Sequence, residues 1–289
     1  MLQLNFDERA EKIIKSYLRD FECEVLKFDV KPEYLQTLLF ELENQIKFHS
    51  FKTTIKRGSK VVEEVDVAKT LKTFGSPKAL VKHAFQDVNT LNKKQSEFFK
   101  IKELLKKHVD SGRIVLDAGC GWGRFILRLR KQCRKSFETV GVDIDDISLK
   151  YGKKVSKNLN VVKSKVEQLP FKDSTVDVIL CSGVIHEIKT LSARRATIEG
   201  FHRVLKPNGM LCIVDAFSTN PIIDALTRIL QHITSKIEWF FMKSTMEKML
   251  EKNSFKTIEL FDIERRVFGG VKVFVMVLTK NSRITSVDK

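Results

Sequence analysis

Two aspartates and a group of glycines are the residues whose types and spacing could do chemistry. Asp117 ends a short apolar run, Ile114, Val115 and Leu116, and Gly119, Gly121 and Gly123 follow within one turn. Phe125 to Gln132 then continues with helical character. An apolar run with two β-branched members, bounded by glycines, reads as a buried strand of a parallel sheet. Glycines permit positive φ and let backbone approach a ligand closely, while a helix starting there presents free N–H groups. Asp143 closes a second run, Thr139-Val-Gly-Val, about twenty residues past Gly123, the spacing at which an acid grips ribose hydroxyls. A nucleoside-bearing ligand is expected at the carboxyl ends of these strands.

The same residues narrow the ligand. A dinucleotide fingerprint, G-x-G-x-x-G, starting at Gly119 needs glycine at position 124, where Arg124 stands, so nicotinamide and flavin are disfavoured. Asp117 places a carboxylate at the glycine turn, where a phosphate is repelled and an ammonium welcomed. An adenosine with a cationic amino-acid tail and no phosphates is S-adenosylmethionine.

Four segments carry a resemblance: Val115-Leu-Asp-Ala-Gly-Cys-Gly-Trp-Gly123; Gly141-Val-Asp143; Leu169-Pro-Phe171 with Val176-Asp-Val-Ile-Leu180; and Arg203-Val-Leu-Lys-Pro-Asn-Gly209. In this order they resemble the motifs of class I S-adenosylmethionine-dependent methyltransferases, from about Gly112 to Asp215, and by element order to Lys280. The resemblance implies that Asp117, Gly119, Gly121 and Asp143 carry the cofactor, with Ile144 and the backbone near Cys120, Val166 and Cys181 contributing. The family often has aspartate where Lys165 stands, bonding the adenine amino group; Glu167 or the backbone of Val166 is expected to substitute. Val184-Ile-His186, Thr190, Arg194-Arg195 and Arg203-Val-Leu-Lys-Pro207 are similar to tRNA wobble-uridine carboxymethyl methyltransferases, with Glu187 in place of their second histidine. The motifs are equally similar to quinone-biosynthesis C-methyltransferases.

The elements that must position these residues follow. The expected class is α/β: a Rossmann-like, seven-stranded, mostly parallel sheet with helices on both faces, over residues 77–289, preceded by an N-terminal α+β module over residues 1–76. In the module, Phe6 to Phe21 is amphipathic through Ile13, Ile14, Tyr17, Leu18 and Phe21. Glu24 to Val30 alternates like a strand, Pro32 opens a helix, and Phe48 to Arg57 with Lys60 to Val67 alternates across Gly58-Ser59 as a hairpin. Gly75-Ser-Pro77 reads as the joint, and the module as a substrate-recognition part or a lid. Lys78 to Phe85 and Gln95 to His108 read as helices leading to the first strand. Met210 to Val214 is the expected fifth strand, and Phe255 to Ile263 with Val271 to Thr279 the closing antiparallel pair. Between them, an insertion over about 220–249 has an apolar stripe from Ile229 to Phe241, read as a lid.

Charge bears on partners. In 289 residues, 52 Lys and Arg stand against 36 Asp and Glu, a formal net charge of +16. Residues 101 to 160 alone carry 14 basic and 7 acidic residues. Arg124, Arg128, Lys131 and Lys135, then Lys150, Lys153, Lys154 and Lys157, fall on two helices that cover one face, spanning residues 124–157. RNA, with tRNA foremost, is the expected partner, a lipophilic small molecule such as a quinone precursor the alternative acceptor, and a solvated face the plain explanation. From another class, an inactive cofactor-binding scaffold subunit remains an alternative. Five cysteines, at 23, 120, 133, 181 and 212, form no C-x-x-C pair and read as reduced core thiols, with no metal site. With neither a signal-peptide pattern nor an apolar run long enough to span a bilayer, a cytoplasmic protein is expected.

For catalysis, His186 is the candidate general base for a hydroxyl or phenol acceptor, because imidazole titrates near neutrality. Glu187 is expected to face solvent or to be salt-bridged.

Overall fold

The computed structural model describes residues 5–6, 8–25, 32–56, 61–62, 64–79, 112–132, 137–222, 225, 242–266 and 271–281. By its packing the chain divides into two compact units, 1–100 and 101–289. The expected joint at Gly75-Ser-Pro77 lies inside the first. The expected helices over 78–85 and 95–108 lie almost wholly, and the apolar stripe of the insertion wholly, outside the described residues.

The first unit consists, among the described residues, of α1 (Glu8–Val25), α2 (Pro32–Lys56), α3 (Glu64–Phe74) and a two-residue parallel pair, β1 (Asn5–Phe6) with β2 (Val61–Val62). Ala10, Ile14 and Tyr17 of α1 recur at helical spacing and pack with Ile46 of α2 and Val67 of α3. The hairpin expected over Phe48 to Val67 is corrected: Phe48 to Lys56 continues α2, and α3 begins at Glu64. Phe48 and Phe51 are both buried. Their i, i+3 spacing follows the helical period set by Ile46, which tertiary packing selects over local alternation. The strand expected over Glu24 to Val30 is likewise corrected at its start, since α1 runs through Val25.

The second unit is a seven-stranded sheet. Its strands are β3 (Ile114–Ala118), β4 (Glu138–Asp143), β5 (Asn160–Lys163), β6 (Val176–Ser182), β7 (Leu205–Ser218), β8 (Phe255–Arg266) and β9 (Val271–Lys280), in the order β5-β4-β3-β6-β7-β9-β8. Neighbours from β5 to β7 pair in parallel and β9 runs antiparallel between β7 and β8. The fifth strand of the sheet is longer than expected, running from Leu205, with a register shift between Val176 and Val178 on its neighbour.

Helices α4 (Arg124–Gln132) and α5 (Asp146–Val155) follow β3 and β4, while α6 (Leu191–Val204) follows β6 and α7 (Lys243–Lys252) precedes β8. Right-handed crossovers put helices on opposite faces when the strand order reverses at β3. The core reflects this. Leu129 of α4 packs with Val115, Val178 and Cys212, whereas Ile198 and Phe201 of α6 and Met246 of α7 pack with Leu116, Ile179 and Ile213. Alternate residues of each strand thus feed the two layers. Among the described residues no helix is long and apolar enough to cross a membrane.

Register sets the functional edge. Ala118 pairs with Val142 on one side and Cys181 on the other, and Asp143 with Lys163, so the tips of β5, β4, β3 and β6 are level. Helix α5 is fixed at this edge by its cap: Asp145 accepts from the Ile147 N–H at 3.1 Å and the Ser148 hydroxyl at 2.7 Å. Gly152 of α5 lies against the glycine turn, where a Cβ would sit 2.4 Å from the Trp122 carbonyl oxygen. Because that neighbour is backbone, Gly152→Ala is expected to cost about 1–3 kcal/mol. The measurement is a lower urea midpoint with an unchanged slope.

Candidate active site

The turn after β3 begins with Gly119, Gly121 and Gly123 at φ of 80°, 54° and 81°. At Gly119 a Cβ would meet Val184 at 2.2 Å, so only glycine admits both this conformation and the loop after β6. The N–H groups of Gly119 and Cys120 both bond the Val142 carbonyl, at 2.8 and 3.0 Å, and that of Gly123 bonds the Cys120 carbonyl at 2.8 Å. The Gly121 N–H bonds Asp143 Oδ2 at 2.7 Å. These donors, expected to face a ligand, are therefore satisfied within the protein. A turn built this way is not a phosphate cradle.

Asp143 also accepts from the Asp145 N–H through Oδ1 at 2.8 Å, which fixes the carboxylate in orientation. Asp117 is 3 % exposed, and its Oδ2 is buried with no hydrogen-bond partner among the described residues. Burial pushes this carboxyl up to about 7, Asp143 adds in the same direction, and Arg124 opposes. A buried carboxyl that lacks a donor calls for a cationic one.

A cavity of about 670 Å³ opens at this edge. Of the residues expected to hold a cofactor, Gly119, Asp143, Ile144, Val166 and Glu167 line it. Ile144 is 59 % exposed and leaves an apolar side chain open on this wall. Cys120 does not line the cavity. Its sulfur packs where a side chain on Gly141 would be, and burial raises its thiol far out of the titrating range. Cys181 is 1 % exposed with its thiol likewise raised by burial, and neither it, Gly121 nor the buried Asp117 is among the lining residues. Lys165, where the family often has aspartate, is an exposed side chain of the cavity wall. Cys23, expected as a core thiol, is instead exposed.

The opposite wall is the loop after β6, carrying Gly183, Val184, Glu187, Ile188, Lys189 and Thr190. His186 is not among the lining residues. Its Nδ1 lies 2.6 Å from Asp215 Oδ1, at the level where β7 passes β6, and its Nε2 lies 3.4 Å from Glu187 Oε1. Asp215, 2 % exposed, accepts three further bonds: from the N–H groups of Val184 and Ile185 at 3.0 and 2.6 Å, and from Ala216 at 2.7 Å. From α6, the fully buried Arg194 donates through Nε to the Ile188 carbonyl at 2.8 Å and through Nη2 to the His186 carbonyl at 3.4 Å. The loop is thus fastened at its start by Asp215 and at its end by Arg194. Asp215 directly follows the run Met210 to Val214 expected as a strand, as Asp117 and Asp143 close theirs, and that placement was the signal available in the sequence, although the strand runs on through Ser218.

Sheet order, the reversed penultimate strand and two tip carboxylates beside a phosphate-free glycine turn define the fold of the class I S-adenosylmethionine-dependent methyltransferases. The residues fit that cofactor: for its ammonium a buried carboxyl whose Oδ2 has no partner among the described residues, for its ribose a second carboxyl, and for its base an open apolar wall. Residues 116–213 match the family described as a methyltransferase domain. The chain is 32 % identical over 127 residues to a ubiquinone/menaquinone biosynthesis C-methyltransferase of Pasteurella multocida, over 42 % of this chain and 46 % of that one. It is 28 % identical over 138 residues to a demethylmenaquinone methyltransferase of Staphylococcus saprophyticus, over 46 % and 58 %. The chain thus spans about half the length of these curated relatives. Among solved structures, a SAM-dependent methyltransferase of Methanosarcina mazei superposes with a TM-score of 0.53 at 19 % identity, over 62 % of this chain and 97 % of that one. That likeness is one of fold.

Proposed function

We propose that this chain binds S-adenosylmethionine at the β3–β4–β6 edge and methylates a lipophilic, hydroxylated aromatic acceptor of the quinone-precursor kind. The observation that carries the cofactor half is Asp117, a buried carboxyl with an oxygen that no group among the described residues satisfies. The cofactor supplies a sulfonium methyl group that is already activated. What remains for the chain is to place an acceptor in line with it and to keep water out, which can account for much of the rate. Val184, Ile188 and Ala193 make the acceptor wall largely apolar, and Glu187, Lys189 and Thr190 give it polar points. Support for the acceptor class comes from the two curated relatives, both named for quinone chemistry.

Transfer to RNA rests on net charge and on the resemblance of the Val184-Ile-His186, Thr190 and Arg194-Arg195 motifs to wobble-uridine enzymes. On the basic face, Lys150 is paired with Asp146, Arg130 donates to the Asn158 carbonyl at 3.1 Å, and the Lys154 ammonium is buried. The side chains of Arg128, Lys131 and Lys135 lie outside the described residues. A face whose cations are partly engaged within the protein offers fewer of them to phosphates.

The test offers the full chain labelled cofactor with either reduced demethylmenaquinone in detergent micelles or bulk tRNA. Methyl incorporation into the quinol is expected. Incorporation into tRNA alone, with binding that falls steeply with salt, overturns the acceptor. Absence of cofactor binding in titration calorimetry at micromolar concentration overturns the enzyme, and binding without methyl incorporation into either acceptor leaves the inactive cofactor-binding scaffold.

A further inference from the structure

The loop after β6 holds three groups in a row whose protons cannot be assigned independently. Asp215 Oδ1 lies 2.6 Å from His186 Nδ1, and His186 Nε2 lies 3.4 Å from Glu187 Oε1. A carboxylate only accepts, so Asp215 requires the hydrogen of a neutral imidazole to sit on Nδ1. The lone pair of Nε2 then faces the oxygen of Glu187, two acceptors with no proton between them. Adding one proton turns the row into an imidazolium between two carboxylates, the arrangement that favours the charged ring. The inner carboxylate is buried and held by three backbone N–H groups, whereas Glu187 is 64 % exposed and lines the cavity. The row therefore has a fixed inner end and an outer end open both to the cavity and to solvent.

From this geometry we propose that Glu187 is the catalytic residue that takes a proton from the methyl acceptor, His186 storing it and Asp215 acting as the positioning residue behind both. The proposal rests on the methyltransferase reading of the same cavity and names its acceptor chemistry: a group with an acidic O–H, such as a phenol. The O–H bond breaks, its electron pair stays on the acceptor and makes it nucleophilic, and the proton passes to Glu187 Oε1 and on to His186 Nε2. It later leaves to solvent through the exposed Glu187. The ionisable groups shown facing His186 among the described residues include Asp215 from β7, Glu187 on its own loop and Arg194 from α6. Cys181 of β6 stands beside Asp215. Arg194 addresses the backbone carbonyl of His186, and the Cys181 thiol stays protonated through burial, so the two carboxylates dominate the ring.

The first test needs no acceptor. In the full chain, nitrogen-15 resonances of His186 are expected to show the Nδ1–H tautomer at high pH, and the midpoint of the titration to fall by about one pH unit in Glu187→Gln, whose exposed position leaves the fold alone. An Nε2–H tautomer, or equal midpoints in the two proteins, overturns the proposal. The second uses reduced demethylmenaquinone. Glu187→Gln should lower kcat by about a hundredfold. Cofactor Kd and acceptor KM should stay within about twofold, and Glu187→Asp should recover part of the loss. Full turnover in Glu187→Gln overturns the base. If the wild-type protein does not methylate this quinol, the acceptor class falls while the resonance titration still decides the proton store.

Discussion

Replacing Asp117 by asparagine should abolish cofactor binding at micromolar concentration and, at partial occupancy, remove its dependence on pH. The wild-type side chain is buried, its Oδ2 lacks a partner among the described residues, and its carboxyl is pushed up to about 7 by burial first and by Asp143 second. Before ligand arrives the group is therefore half protonated near neutrality. An ammonium bonds the carboxylate and not the acid, so binding below pH 7 releases a proton. Affinity should then rise about twentyfold between pH 5.5 and 7.5. It should level off until the ligand's own amino group, with an ordinary value of about 8, begins to lose its charge. The sign for the ligand-free protein is opposite. A carboxyl raised in the folded state contributes stability in full below its unfolded value of about 4, and that stability is lost as pH rises through 7. Thermal unfolding should thus show a cofactor-induced rise in Tm that grows between pH 5.5 and 7.5. Titration calorimetry in two buffers of different ionisation enthalpy reads the released proton directly. Asparagine keeps the shape but has no charge, so Asp117→Asn should show neither effect. Equal affinity at pH 5.5 and 7.5 in the wild type would mean that Asp117 does not meet the ammonium.

What the sequence made legible at this site is what local pattern encodes. Asp117, the three glycines and Asp143 are each read from their place after an apolar run, and β3 and β4 deliver them to one edge because parallel neighbours end level. Cys120 and Cys181 are expected at the ligand through their backbone, and their thiols turn inward, one beside Gly141 and the other into the core, where burial is favoured. The link between His186 and Asp215 was not legible at all, since 29 residues separate them and only the pairing of β6 with β7 brings them to 2.6 Å. In the first unit the failure has the opposite cause. Phe48 to Arg57 alternates well enough for a strand, and only the packing of Ile46 against Ile14 and Val67 fixes the helical phase that carries on through Lys56.

The largest structural effect should come from Arg194, a residue of α6 that touches no ligand. Its side chain is fully buried, and its guanidinium spans the carbonyls of His186 and Ile188, the last turn of the loop that forms the acceptor wall. Truncation in Arg194→Ala leaves those carbonyls without a charged donor and opens a void the size of a long side chain among core residues. Together these should cost about 3–5 kcal/mol. For a unit of this size that is a fall in Tm of about 10 °C, seen alongside a lower urea midpoint. Arg194→Lys should recover less than half of it, because an ammonium cannot span two carbonyls as the planar fork does. The consequence for the site separates the two sides of the cavity. Asp117, Asp143 and the glycine turn are held through β3, β4 and Val142, apart from the two loop carbonyls to which Arg194 donates, so cofactor Kd below the melting range should change by less than about threefold. Acceptor turnover, which depends on where Glu187 and Val184 stand, should fall by a larger factor. An Arg194→Ala protein that unfolds like the wild type would show that the loop keeps its shape without the clamp. Asp215 and the capped start of α6, where the Thr190 hydroxyl accepts from the Ala193 N–H at 3.2 Å, would then be sufficient.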